Sequence, residues 1–330
     1  MRRFVGLALL GAILLAGARV GLGQVAGRYQ TPVEGKPGHV QWINFSGNTL
    51  QDAFDDMYKK RKLHLVSRIE VQTGRIRTDD WLWLRNRNGA KGRVLQLFEF
   101  TVLPTVTDVQ NMPDPLVTNK SEGRLGSNYL SICKVSKLKY VSRFAFYGGL
   151  QALDFPDMEK CGEEAFAASD RYSLHEAKFL KFKTMGSNAF QGCRNMVRFT
   201  APKLTDLKEQ GQHFQGCENF SLLELGTTVP DGAREAIFEG CPTSRYLRIV
   251  DEQGQPLQGG PLMNAAAKYK NDTKNFKDGK WCGWYVIGLQ GNEAKDAKIH
   301  PIRFAAIQHT ANFPSFSVPT HMAMAGEQVR

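Results

Sequence analysis

Three cysteines recur at one spacing: Cys193, Cys217 and Cys241 stand 24 residues apart. Thiols at a fixed period can cross-link, hold a metal or fill a core, and the element that carries them decides which. Each closes a similar quartet: Phe190-Gln191-Gly192-Cys193, Phe214-Gln215-Gly216-Cys217 and Phe238-Glu239-Gly240-Cys241. A second set of reactive or adhesive types lies around these quartets: Glu176, Lys178, Arg198, Glu224, Arg245, Tyr246 and Arg248. Carboxylates and guanidiniums in register can pair with one another or with a ligand, and Tyr and Arg are enriched where binding energy concentrates. The motifs of catalysis are missing. His175-Glu176 lacks the second His of H-E-x-x-H, and there is no G-x-S-x-G, P-loop, C-x-x-C or G-x-G-x-x-G. The seven His show no metal spacing. His213 replaces an Ala in a repeated position, and His321 near Met322 and Met324 is isolated.

The positioning element is a repeat. Phe146, Phe166, Phe190, Phe214 and Phe238 are separated by 20, 24, 24 and 24 residues. Between them a pattern φ-x-x-φ-x-φ recurs, as in Leu150, Leu153, Phe155; Leu174, Ala177, Phe179; and Met196, Phe199, Ala201. That alternation reads as a short strand, and Pro156 and Pro202 end it because proline cannot continue a ladder. One unit cannot bury its own apolar side, but stacked copies can. The Phe then fill the interior. Stacked strands lie about 4.8 Å apart with parallel Cβ vectors, whereas a disulfide needs convergent Cβ atoms at about 3.8 Å. Cys193, Cys217 and Cys241 therefore read as free thiols packed as small hydrophobes, without a metal. Cys161 falls in an apolar column with Met185 and Leu207; Cys133 and Cys282 have no assigned partner.

The x residues of each strand point away from the core. One column reads Ala152, Glu176, Arg198, Leu222, Tyr246; the next reads Asp154, Lys178, Thr200, Glu224, Arg248. Opposite charges meet on neighbouring rungs: Glu176 by Arg198, Asp154 by Lys178, Glu224 by Arg248. Two readings stand. The face is either a solvated surface with cross-strand pairs, each worth a few tenths of a kcal/mol up to about 1, or a ligand surface. On the second reading Tyr246 with Arg198, Arg245 and Arg248 is the most adhesive corner.

A period of 20–29 residues with a φ-x-x-φ-x-φ strand is the pattern of a leucine-rich repeat. The A-F-x-G-C cadence with an interleaved L-x-x-L-x-φ-P resembles the BspA-like leucine-rich repeats of bacterial surface and secreted proteins. Upstream, Gly47-Asn48-Thr49-Leu50, the Val66–Val71 run, Gly74, Ile76, Asp79 and Trp81–Leu84 are similar to the N-terminal capping segment of that family, followed by a strand-like Val94–Phe98. Downstream, a polar helix over Leu262–Lys274 and the Trp281-Cys282-Gly283-Trp284 segment resemble the closing end of such arrays. Repeat two lacks Gly-Cys, and His213 and Ile237 depart from the Ala position. The resemblance implies an α+β solenoid of short parallel strands, one per coil, capped at both ends. It also implies export, and it transfers no catalytic residue or cofactor.

The remaining segments complete the organisation. Arg2 and Arg3, the uncharged Phe4–Leu15 run and the small residues that follow read as a signal peptide, cleaved after Ala18 or, preferably, Gly23. The twelve-residue run is short of the ~20 apolar residues that cross a bilayer. Losing residues 1–23 removes Arg2, Arg3 and Arg19 and no acid, which lowers the formal charge of +11 by three. The expected order is then an arm at 24–43, an N-terminal cap and irregular coils at 44–130 with a loop around Thr105–Gly126, repeats at 131–254, a C-terminal cap at 255–290 and a tail at 291–330. Hydrophobic content of 42% and unpatterned Gly and Pro exclude a disordered or collagen-like chain. Basic runs at Lys59-Lys60-Arg61-Lys62 and at Lys268, Lys270, Lys274, Lys277 and Lys280 read as solvated faces, with anionic glycans as the second reading. No nucleic-acid motif is present. The function expected is non-catalytic binding of a protein or glycan, with adhesion as the role the resemblance implies. The alternatives are an envelope scaffold and, if a deep polar cleft exists, a hydrolase.

Overall fold

The computed structural model describes residues 24–88, 95–116, 125, 130–148, 150–167, 174–208 and 211–289. The expected signal peptide and the 291–330 tail lie outside these residues. The fold is mixed α/β, with short parallel strands and few helices.

The chain opens with an antiparallel hairpin. Strand β1 (Val25–Pro32) pairs with β2 (Val40–Gly47) and, on its other side, with β3 (Arg68–Thr73). Residues 24–43, which read as a loose arm, therefore hold β1 and the start of β2. The repeat period does not reach this segment, so nothing in it announced a strand. Helix α1 (Leu50–Lys59) starts at Thr49, whose hydroxyl accepts the Asp52 N–H while Asp52 accepts the Thr49 N–H. Strand β4 (Arg75–Ile76) precedes helix α2 (Thr78–Asn88). The buried Asp80 carboxylate accepts the N–H groups of Leu50 and Arg77 at 2.6 and 2.8 Å, and so ties the starts of both helices together.

From there two kinds of strand alternate. The outer-face series is β3, β5 (Glu99–Val102), β7 (Ile132–Val135) and β9 (Ala152–Asp154), all parallel. The strand expected at Val94–Phe98 falls at β5 instead, just after it. The second series consists of two-residue strands: β6 (Asp108–Val109) beside β4, then β8 (Tyr140–Val141), β10 (Lys160–Cys161), β12 (Thr184–Met185) and β14 (Asp206–Leu207). The first kind continues through β11 (Glu176–Lys178), β13 (Arg198–Ala201), β15 (Leu222–Leu225) and β16 (Tyr246–Ile249). Helix α3 (Gly259–Asn271) begins three residues before the expected polar helix. It is followed by β17 (Phe276–Lys277), β18 (Lys280–Trp281) and β19 (Trp284–Val286), the last of which pairs parallel with β16. Inward residues of both strand series share one apolar cluster.

The Phe landmarks stack through that cluster. Ring centroids from Phe146 to Phe166, Phe190, Phe214 and Phe238 are 5.8, 5.0, 5.7 and 5.5 Å apart, with planes within 11° of parallel. Backbone bonds join the landmarks across repeats: Phe190 N–H to His213 O and Phe214 N–H to Ile237 O, both 2.9 Å. Gly192, Gly216 and Gly240 have φ of 72°, 73° and 76°. That left-handed turn is why glycine recurs between the Phe and the Cys. Trp284 closes the stack edge-to-face against Phe220 and Phe238, at 4.9 and 5.1 Å.

Candidate functional site

The two outward columns stand in the register that alternation dictates. Glu176, Arg198, Leu222 and Tyr246 are successive Cα partners, as are Lys178, Thr200, Glu224 and Arg248. Arg198 bridges two acids: its Nη1 lies 3.3 Å from Glu176 Oε1, and its Nη2 lies 2.7 Å from Glu224 Oε2. Glu224 Oε2 also accepts Arg198 Nε–H at 2.8 Å and the Thr200 hydroxyl at 2.6 Å, and Arg248 Nη1 stands 3.5 Å from Oε1. The guanidiniums of Arg198 and Arg248 keep some solvent contact, and Glu176 is one-third exposed. No ion pair joins Asp154 to Lys178 among the described residues, because β9 and β11 belong to different ladders.

Part of this face is not exposed. Thr200, Leu222 and Glu224 are buried. One cause is the segment after β16, which turns back across the strands. A Cβ placed on Gly254 would lie 3.2–3.4 Å from Leu180, Lys178 and Thr200, and Glu252 pairs with Lys203 at 2.7 Å. The other cause is the arginine pair that brackets Glu224. Arg245, expected on the outward face, is buried as well. Its guanidinium points inward, donates to the carbonyls of Gly283, Phe238 and Cys282 at 3.1–3.2 Å, and rests against the Phe238 and Trp284 rings. It fastens β19 to the repeats and does not belong to a surface corner.

What remains open toward solvent is Lys178, Glu176, Arg198, Arg248 and Tyr246, and two residues that the repeat period concealed. Tyr285 of β19 continues the Tyr246 column, with ring centroids 5.9 Å apart, and Lys280 Nζ stands 4.4 Å over the Tyr285 ring. At the other end the same face runs on through Arg68 and Glu70 of β3, Arg28 of β1 and Trp42 of β2. Arg28 pairs with Glu70 at 2.8 Å and lies over the Trp42 ring at 4.5 Å. The fork to Glu70 holds its carboxyl below the usual range against the opposing effect of burial, with Gln72 donating as well. Alternation within Arg68-Ile69-Glu70-Val71 was the signal that could have found this end.

None of the six cysteines is in a disulfide, and Cys133, Cys161, Cys193, Cys217 and Cys282 are buried. Cys193, Cys217 and Cys241 each donate to a carbonyl one repeat back, Phe166 O, Phe190 O and Phe214 O, at 3.2–3.4 Å. Burial pushes the Cys161 thiol up to about 12 and the Cys133, Cys217 and Cys282 thiols up as well. Cys241 differs. It is partly exposed, and a hydrogen bond from Cys217 and the nearby Arg245 charge pull its thiol down, against the effect of burial. His213 is buried, with Nδ1 2.9 Å from Gly186 O and Nε2 3.1 Å from Lys208 O; burial draws its pKa below the ordinary histidine value. Lys59 and Lys60 pair with Asp55 and Asp56 one helical turn back, so half of that basic run is neutralised locally. An apolar cavity between α2 and β5, lined by Trp81, Leu84, Asn88, Leu97 and Phe100, has room for one water at most.

Among the described residues no group of three or more His, Cys, Asp or Glu is placed to hold a metal ion, and no helix is long and apolar enough to cross a membrane. Comparison with protein families, with characterised proteins and with solved structures finds no match.

Proposed function

We propose that this chain is an exported, non-catalytic binding protein of the BspA-like leucine-rich-repeat kind. Its strands stack as a solenoid in which an outer-face strand and a two-residue strand alternate along the repeats, rather than one strand per coil, and its role is adhesion to a protein or glycan. The observation that carries this reading is the outward face of β11, β13, β15, β16 and β19. There a row of polar and aromatic side chains is held in register by parallel strands, with Arg198 and Arg248 fixed by the buried Glu224. Arginines positioned in advance lose little side-chain freedom on binding, and the Tyr246–Tyr285 pair supplies rigid amphipathic area. Both properties suit recognition of carboxylate-bearing or hydroxyl-rich partners. The 24-residue period of the Phe-x-Gly-Cys quartets and the N-terminal Arg2, Arg3 and Phe4–Leu15 pattern support the family and the export parts of the reading.

A solid-phase assay tests it. The purified chain is titrated over immobilised matrix proteins, glycans and whole cells. Saturable binding to one class is expected; its absence across all three rejects the reading.

A further inference from the structure

The main run of strands is finished differently at its two ends. At the C-terminal end the last strands, β17 and β18, are two residues long. At the N-terminal end, β2 runs for eight residues at the sheet edge. The Val33 N–H donates to His39 O at 2.9 Å, in the same register that places Pro32 opposite Val40. Antiparallel pairing alternates its bonds. The N–H and C=O groups of Gln41, Ile43 and Phe45 therefore face β1, and those of Val40, Trp42, Asn44 and Ser46 face outward. Among the described residues no backbone hydrogen bond engages these outward groups. Protein edges of this length are ordinarily blunted by charge, proline, a bulge or a covering element. The sequence Val-Gln-Trp-Ile-Asn-Phe-Ser-Gly of β2 has neither charge nor proline, and the nearby bulge lies on the far side of β1, between Ala26 and Gly27. Val40 and Trp42 are each 40% exposed.

We propose that β2 pairs antiparallel with β2 of a second copy of this chain, joining the two outer faces into one sheet across a twofold axis. Alternating outward donors and acceptors at strand spacing match the backbone of an extended chain, which can replace the water on the exposed edge. Two features select an identical strand. A twofold contact sets a surface against itself, so any charged residue on β2 would meet its like, and all eight residues are uncharged. The register centred on Ile43 then uses every outward group, because Val40 meets Ser46, and Trp42 meets Asn44, of the second copy. That pairing also covers Trp42 and Val40. It does not depend on the adhesive reading, since it uses neither Tyr246 nor the arginines around Glu224.

Sedimentation equilibrium of the full purified chain, over a range of concentrations, tests the pairing. The wild type is expected to show twice the monomer mass with reversible dissociation on dilution. Trp42→Lys/Asn44→Lys is expected to be monomeric with the circular dichroism spectrum of the wild type, and with a melting temperature that, unlike the wild type's, does not depend on concentration. Ile43→Cys, placed on the axis, is expected to give a disulfide-linked dimer on mild oxidation with diamide, where the wild type gives none. A wild type that is monomeric throughout, a double-lysine variant that still dimerises, or an Ile43→Cys chain that fails to cross-link overturns the proposal. So does capture of an unrelated extended peptide at β2 by a monomeric chain.

Discussion

Arg198 Nη2 lies 2.7 Å from Glu224 Oε2, across one strand pair, and that carboxylate has no solvent exposure. A buried acid with three bonds from Arg198 and Thr200 is stable only while its donors stay. Arg198→Ala leaves the buried charge with only Arg248 at 3.5 Å and the Thr200 hydroxyl and is expected to cost about 2–4 kcal/mol, while Glu224→Gln, which keeps the shape and one acceptor, is expected to cost less. Urea titration of both variants and their double mutant measures the coupling. Additive losses would mean that the pair is a surface contact of no consequence.

Phe190 sits mid-stack, 5.0 Å from Phe166, 5.7 Å from Phe214 and 5.2 Å from Phe199. Phe190→Ala is expected to destabilise the fold by about 3–5 kcal/mol. Phe→Leu at the same place should recover much of this by refilling volume. Equal losses for Ala and Leu would show that stacking geometry, not volume, holds the core.

His213 carries a pH dependence. Its folded pKa lies below the unfolded value of about 6.5, because burial disfavours the imidazolium. A lowered pKa contributes stability in full above 6.5, and that contribution is lost as pH falls from there through the folded value. His213→Ala, which restores the residue found at positions 145, 165 and 189, is expected to flatten the stability profile in that window. Thermal melts of both proteins from neutral to mildly acidic pH would show it. Parallel profiles would place the acid sensitivity elsewhere.

Cys241 is expected to be the thiol that a maleimide modifies first in the native protein. It alone of the six is not buried, and its thiol is drawn down by Cys217 and then Arg245, where burial raises four of the others. Peptide mapping after limited labelling reads the site directly. First labelling at Cys133 or Cys282 would contradict the stacking around the third Phe-x-Gly-Cys quartet.

These features differ in how far the sequence announces them, and the reasons are physical. The columns Glu176-Arg198-Leu222-Tyr246 and Lys178-Thr200-Glu224-Arg248 follow from a 24-residue period and strand alternation, both of them local properties. The burial of Thr200 and Glu224 does not, because the segment around Gly254 that crosses the strands lies outside the period. Arg245 read as exposed because it stands beside a strand. Its partners, Cys282 and Gly283, are more than 35 residues away. Tyr285 follows Tyr246 by 39 residues rather than 24, since α3 and the β17–β18 hairpin intervene, so spacing hides a column that pairing reveals. The β1–β2 hairpin is antiparallel and unrepeated, and its strands have no counterpart to be compared with.

The outward strand face is proposed to bind a partner through the partly exposed Arg198, Arg248 and Tyr246 side chains. The most direct test is a titration of the wild type and a Tyr246→Ala/Arg248→Ala variant over the matrix proteins, glycans or cells that the wild type binds. Loss of two hot-spot side chains is expected to weaken saturable binding by about tenfold or more while the circular dichroism spectrum stays unchanged. Equal affinity of the two proteins, or no saturable binding by either, would contradict it.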